Sequence, residues 1–89
     1  MIERELRIAN KLGLHARATA KLVQVLSGFR SNATLVAKGR EVNAKSIMGV
    51  MLLAAGYGTT VLLRLEGEDE QEAMEAAAAL FERKFDEGG

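Results

Sequence analysis

Ala33-Thr34-Leu35-Val36-Ala37-Lys38-Gly39-Arg40-Glu41-Val42-Asn43 reads as two short strands, Ala33 to Ala37 and Arg40 to Asn43, folded back on each other at Lys38-Gly39. A connection that short joins antiparallel neighbours, and the glycine supplies the positive φ angle the turn needs. The rest of the chain is assigned around this hairpin. Upstream, Ile2, Arg4, Leu6 and Ile8 alternate with Glu3, Glu5 and Arg7, the period of a half-buried strand. Lys11 to Leu14 is a loop, and Ala16 to Ser27 follows helical spacing. Ala16, Ala20, Val23 and Ser27, with Ala18, Leu22, Val25 and Leu26 beside them, keep that spacing, and Gly28 is placed to stop the helix.

Downstream, Ser46 offers an N-cap oxygen for a short helix over Ile47 to Leu53, which Gly56 and Gly58 break. Thr60 to Leu65 is a β-branched and aliphatic strand. Asp69 to Phe85 is a long helix with an acidic first turn, Arg83 and Lys84 in its last turn and Gly88-Gly89 beyond. The order β-α-β-β-α-β-α predicts an α+β fold: a mostly antiparallel sheet with helices covering a single face. Topology alone does not choose among superfolds, so function rests on the site.

Eighty-nine residues, 48% of them apolar, are expected to form one domain spanning 1–89 with a modest core. With no cysteine there is neither a disulfide framework nor a thiolate nucleophile, and a single histidine does not make a usual zinc site. The N-terminus lacks the apolar core of a signal peptide and no run is long enough to span a membrane, so the expected location is the cytoplasm. Twelve acids balance twelve bases. They are segregated, however. From Leu6 to Arg40 there is no acid but there are Arg7, Lys11, Arg17, Lys21, Arg30, Lys38 and Arg40, whereas most of the acids follow Glu66. A positive and a negative region are expected, the first suited to an acidic partner or an anion.

The only histidine, His15, lies in Gly13-Leu14-His15-Ala16-Arg17, where the strand pattern gives way to the first helix. Unpaired N–H groups of a first helical turn, those of Ala16 and Arg17 among them, form a phosphate-binding end. The positive helix end disfavours an imidazolium and favours a neutral, nucleophilic ring; a phosphorylated ring would meet the same dipole attractively. Arg17 opposes that dipole by a few tenths of a kcal/mol unless an anion compensates, so its guanidinium is suited to phosphate. Plain alternatives are a loop histidine bonded to backbone and a solvated arginine. Ser46 is an N-cap worth about 1 kcal/mol, and a phosphate there would be tolerated by the helix while opposing an acidic partner. Ile47, Met48 and Met51 suit either the core or a partner interface. Gly56-Tyr57-Gly58 is a turn, not a dinucleotide fingerprint.

Asn10-Lys11-Leu12-Gly13-Leu14-His15-Ala16-Arg17 and Asn43-Ala44-Lys45-Ser46-Ile47-Met48-Gly49-Val50-Met51 together resemble the HPr family, the histidine-containing phosphocarriers of the bacterial phosphotransferase system. The resemblance covers essentially the whole chain. It implies an open-faced β-sandwich with four antiparallel strands and three helices on one face. It also implies phosphorylation of His15 on Nδ1 by enzyme I at the expense of phosphoenolpyruvate, and transfer to a downstream acceptor protein. Arg17 matches the phosphate-neutralising arginine, and Ser46 the serine that a dedicated kinase modifies in some lineages. Where the family often has proline after the arginine this chain has Ala18, as in the nitrogen-related branch, which makes a nitrogen-type regulatory carrier the alternative. The carrier needs no cofactor, no metal, no nucleic acid and no membrane span; it is hardly an enzyme by itself and is expected to act as a monomer. A small nucleic-acid-binding module using the basic half is the alternative from another class, but no aromatic residue precedes position 29 to stack a base.

Overall fold

The computed structural model describes residues 1–87, so Gly88-Gly89 lie outside the described residues. The elements are β1 (Ile2–Arg7), α1 (Ala16–Ser27), β2 (Asn32–Ala37), β3 (Arg40–Asn43), α2 (Ile47–Leu52), β4 (Thr60–Glu66) and α3 (Glu70–Glu82). The strands form one sheet in the order β1-β4-β2-β3, every pairing antiparallel. Lys38 and Gly39 both have positive φ, 54° and 77°, so the hairpin is a primed turn in which a lysine shares the conformation read for the glycine alone. Its register, Ala37 opposite Arg40 and Leu35 opposite Val42, sets Ala33, Leu35 and Ala37 on the buried side. Leu63 and Leu65 of β4 fall opposite Leu35 and Ala33, which joins the rows into one apolar layer. The helices cover that layer; Leu22 and Leu26 of α1, Leu80 and Phe81 of α3, and Val50 of α2 complete the core. The other sheet face is open and polar, with Arg64 Nε donating to Glu3 at 2.7 Å.

The buried side of α1 is Ala18, Thr19, Leu22 and Leu26, while Ala16, Ala20 and Ser27 are exposed. Large aliphatic side chains decide the helix's rotation, and the alanines follow from them. Several expectations are corrected. Gly28 caps α1 at φ −76°, a conformation open to any residue, so its special freedom is unused. The chain leaves α2 through Ala54, at φ 48°, before either Gly56 or Gly58. The last helix ends at Glu82, not Phe85. Lys84, Phe85 and Asp86 follow at φ 56°, 55° and 61°, three successive left-handed residues that are not glycine. Each costs about 1–2 kcal/mol. Complete burial of Phe85, its ring 4.8 Å from that of Phe81, offsets part of this, and Lys21 Nζ donates to the Phe85 carbonyl at 2.8 Å. Arg83 and Lys84 are therefore outside α3, and Arg83 Nε donates to Asp86 Oδ1 at 2.9 Å.

Asp69 precedes α3 but makes no side-chain cap bond to it. Its carboxylate instead accepts from the amides of Arg30, at 2.8 Å, and Ser31, at 2.9 Å, and from Ser31 Oγ. The Ser31 hydroxyl first, then the Arg30 amide, hold the carboxyl below its ordinary range. A lowered folded-state value means that stabilisation is present above the ordinary aspartate range, near pH 4, and is lost as pH falls through the lowered value. The stability gap between wild type and Asp69→Asn, followed by thermal unfolding, is therefore expected to narrow on acidification. A gap independent of pH would show that the carboxylate's charge plays no part.

Candidate functional site

The connection from β1 to α1 is held in place before it reaches His15. Buried Asn10 donates through Nδ2 to the Gly13 carbonyl at 2.8 Å, and the Gly13 amide returns to the Asn10 carbonyl at 3.1 Å. Gly13 has φ 68°, and a Cβ there would lie 2.7 Å from Gly56 Cα and 2.8 Å from the Ala55 carbonyl oxygen. Only glycine fits, both in conformation and in space. The Leu14 amide donates to the Ala55 carbonyl at 2.9 Å, the Leu14 side chain is buried, and Thr19 Oγ1 donates to the Leu14 carbonyl at 3.1 Å. The loop thus presents the next residue on a fixed base.

That residue, His15, is itself the N-cap of α1: its backbone is extended, its carbonyl accepts from the Thr19 amide, and Nδ1 accepts from the Arg17 amide at 3.4 Å. The ring was expected before the helix, and the structure adds that it caps it. The 3.4 Å bond is long, so the Nδ1 lone pair is directed at the helix end but only loosely engaged. Nε2 points the other way, onto the Glu87 carboxylate, whose Oε1 accepts from Asn10 Nδ2 at 2.9 Å. His15 remains 30% exposed. It lines an open cleft with Lys11, Leu12, Arg17, Asp86 and Glu87.

Arg17 is exposed and, among the described residues, has no carboxylate within ion-pairing distance. No acid occupies the first turn of α1, so the helix end keeps its positive character. The expected separation of charge is corrected here: chain folding brings Asp86 to within 3.8 Å of Lys21 and Glu87 onto His15, inside the basic region. Burial pushes the Glu87 carboxyl up, but the hydrogen bonds from Asn10 and His15, with the positive charge of Lys21, outweigh it and leave it lowered. Neither Asn10 nor Glu87 carried a functional reading in the sequence, and no local signal links residues 77 positions apart. Among the described residues no group of three or more histidine, cysteine or acidic side chains is placed to hold a metal ion.

Ser46 caps α2, its Oγ accepting from the Gly49 amide at 3.1 Å. Ile47, Met48 and Met51 are exposed, Met48 at 78%, with Leu52 beside them; of the two readings open for these residues, core and interface, the core is excluded. They do not line the His15 cleft, so the structure assigns the sequence-derived residues to two places: His15, Ala16 and Arg17 at the start of α1, and Ser46 with the apolar face on α2.

Three comparisons bear on this arrangement. The family model PTS-HPr, described as the PTS HPr component phosphorylation site, matches residues 2–83. The phosphocarrier protein HPr of Xylella fastidiosa (strain Temecula1) is 67% identical over 87 residues, 98% of each chain, and that of Cupriavidus necator is 57% identical over 88 residues, 99% of each. A crystal structure of HPr from Thermoanaerobacter tengcongensis superposes with a TM-score of 0.94 at 47% identity, covering 98% of each chain.

Proposed function

The chain belongs to the HPr family of phosphotransferase-system phosphocarriers, and on that premise we propose that His15 is its phosphoryl acceptor, loaded by phosphorylated enzyme I and unloaded onto a downstream acceptor protein. The observation that carries this reading is the direction of Nδ1, toward the free amide end of α1 with Arg17 beside it. An incoming phosphoryl group bonded to Nδ1 would displace a loose 3.4 Å contact and leave its oxygens facing the Ala16 and Arg17 amides and the guanidinium. The carrier supplies a nucleophile and a preorganised anion site, and the docked partner supplies the rest of the catalysis. All of these groups come from one copy, which supports a monomer as the acting form. No helix among the described residues is long and apolar enough to cross a membrane, and we place the carrier in the cytoplasm with its partners. The relatives given above carry the HPr name despite the Ala18 question, which favours the sugar-type over the nitrogen-type carrier. Incubation with enzyme I and phosphoenolpyruvate, followed by mass spectrometry, is expected to show one acid-labile, base-stable phosphoryl group; a chain that stays unmodified would refute the reading.

Ser46 is the regulatory site in this reading, and the exposed face of Ile47, Met48 and Met51 the surface on which partners dock. Aspartate is as good an N-cap as serine, so Ser46→Asp should keep its thermal midpoint. It adds a negative charge at the edge of that face and is expected to slow loading of His15 by about tenfold against an acidic partner. An unchanged rate would reduce Ser46 to a helix cap.

A further inference from the structure

Glu87 reaches His15 from the far end of the chain, and the way it is held determines which ring nitrogen is the nucleophile. We infer that Glu87, oriented by Asn10, is a positioning residue that locks His15 in the Nε2–H tautomer and balances the charge the ring acquires during transfer. The inference rests on the carrier reading above and names the residue that makes Nδ1, not Nε2, the attacking atom.

The tautomer follows from donor and acceptor bookkeeping. An ionised carboxylate only accepts, so the ring nitrogen facing Glu87, Nε2, must carry the proton. On the other side of the ring Nδ1 faces the Arg17 amide, which only donates, so Nδ1 must present its lone pair. Both neighbours demand the same tautomer. Glu87 is itself fixed: Asn10 Nδ2 donates one hydrogen to Glu87 Oε1 and the other to the Gly13 carbonyl. The Asn10 amide cannot turn over, because that would set its oxygen against the Gly13 carbonyl oxygen. Among the described residues its own Oδ1 has no partner and Asn10 is fully buried, so the orientation is maintained at the cost of an acceptor they leave unsatisfied. Phe85, buried in the left-handed turn just before, fixes where this carboxylate emerges.

The transfer step then balances. The Nδ1 lone pair attacks phosphorus, the bond from phosphorus to the donor nitrogen or oxygen breaks, and that electron pair leaves with the donor. The ring keeps its Nε2 proton throughout and becomes a phosphoimidazolium, whose positive charge lies against Glu87 as the imidazolium of a Ser-His-Asp triad lies against its aspartate. In the return step the acceptor's nucleophile attacks phosphorus and the electron pair goes back to Nδ1. The ring departs as neutral imidazole, a far better leaving group than the imidazolate that loss of the Nε2 proton would require. Glu87 thus serves loading and unloading alike.

The test uses two variants with opposite expectations. In Glu87→Gln the amide oxygen must face Asn10, which offers only hydrogens there, so the amide NH2 faces Nε2. It donates, Nε2 becomes an acceptor, and the proton moves to Nδ1 at the expense of the loose 3.4 Å contact from the Arg17 amide, the weaker of the two demands on the ring. In Glu87→Ala only the loose 3.4 Å contact from the Arg17 amide still favours a bare Nδ1, and solvent competes with it. Because the chain has one histidine, long-range proton–nitrogen correlation of the unphosphorylated full-length protein, at a pH where the ring is neutral, reads the tautomer without assignment. Wild type should show Nδ1 bare and Nε2 protonated; Glu87→Gln should show the reverse and be loaded by enzyme I on the order of 100-fold more slowly, with Glu87→Ala between them. Wild-type tautomer in Glu87→Gln, or loading of that variant as fast as Glu87→Ala, would overturn the inference. If wild type shows the Nε2–H tautomer but accepts no phosphoryl group, the carrier reading and the transfer step fail while the tautomer assignment is upheld.

Discussion

His15→Ala should remain folded and accept no phosphoryl group at all from enzyme I. The chain has no second histidine, and the loop donors at the start of α1 are useless without a nucleophile. The substitution is not free of structural cost. His15 caps α1 and pairs with Glu87, so its loss should destabilise the domain by about 1 kcal/mol, the usual cost of a missing cap. That is small against the roughly 5–15 kcal/mol of an ordinary domain. The loop base itself, made by Gly13, Leu14 and Ala55, does not use the ring. Circular dichroism and mass spectrometry on the same sample check both halves. Label surviving with the acid lability of a phosphoramidate would move the nucleophile to another residue, and a molten spectrum would mean that His15 is chiefly structural.

What could be read from the sequence was what is decided locally. The hairpin at Lys38-Gly39, the β1 alternation, the Ala16–Ser27 helix and the Ser46 cap all depend on neighbours within a few residues, and each is found where the pattern puts it. The motif around His15 was legible for the same reason, since a loop, a helix start and a nearby guanidinium are consecutive features. The end of α3 was not. Nothing in Arg83-Lys84-Phe85-Asp86 announces three left-handed residues, because burial of Phe85 against the core imposes them. Glu87 and Asn10 escaped because only the completed fold brings the chain's last described residue back to its first loop. The apolar face of α2 has the same spacing whether it is buried or offered to a partner, so periodicity alone left its role open.

Arg17→Glu should affect stability and transfer in opposite directions. A cation in the first turn of α1 opposes the helix dipole, no carboxylate among the described residues offsets it, and the turn contains no acid. Glutamate there complements the dipole, so the thermal midpoint should hold or rise, with repulsion from Glu87 across the cleft moderated by salt. Loading and unloading of His15 should nevertheless fall roughly a hundred- to thousandfold, because the group that met the phosphoryl charge now repels it. Arg17→Lys separates charge from shape: it keeps the cation but loses the planar fork, and belongs between the two. A surface arginine of no consequence would give wild-type rates in both variants, whereas a structural one would lose midpoint and rate together. Only a residue kept against its own helix for the sake of an anion gives a stable protein that transfers poorly.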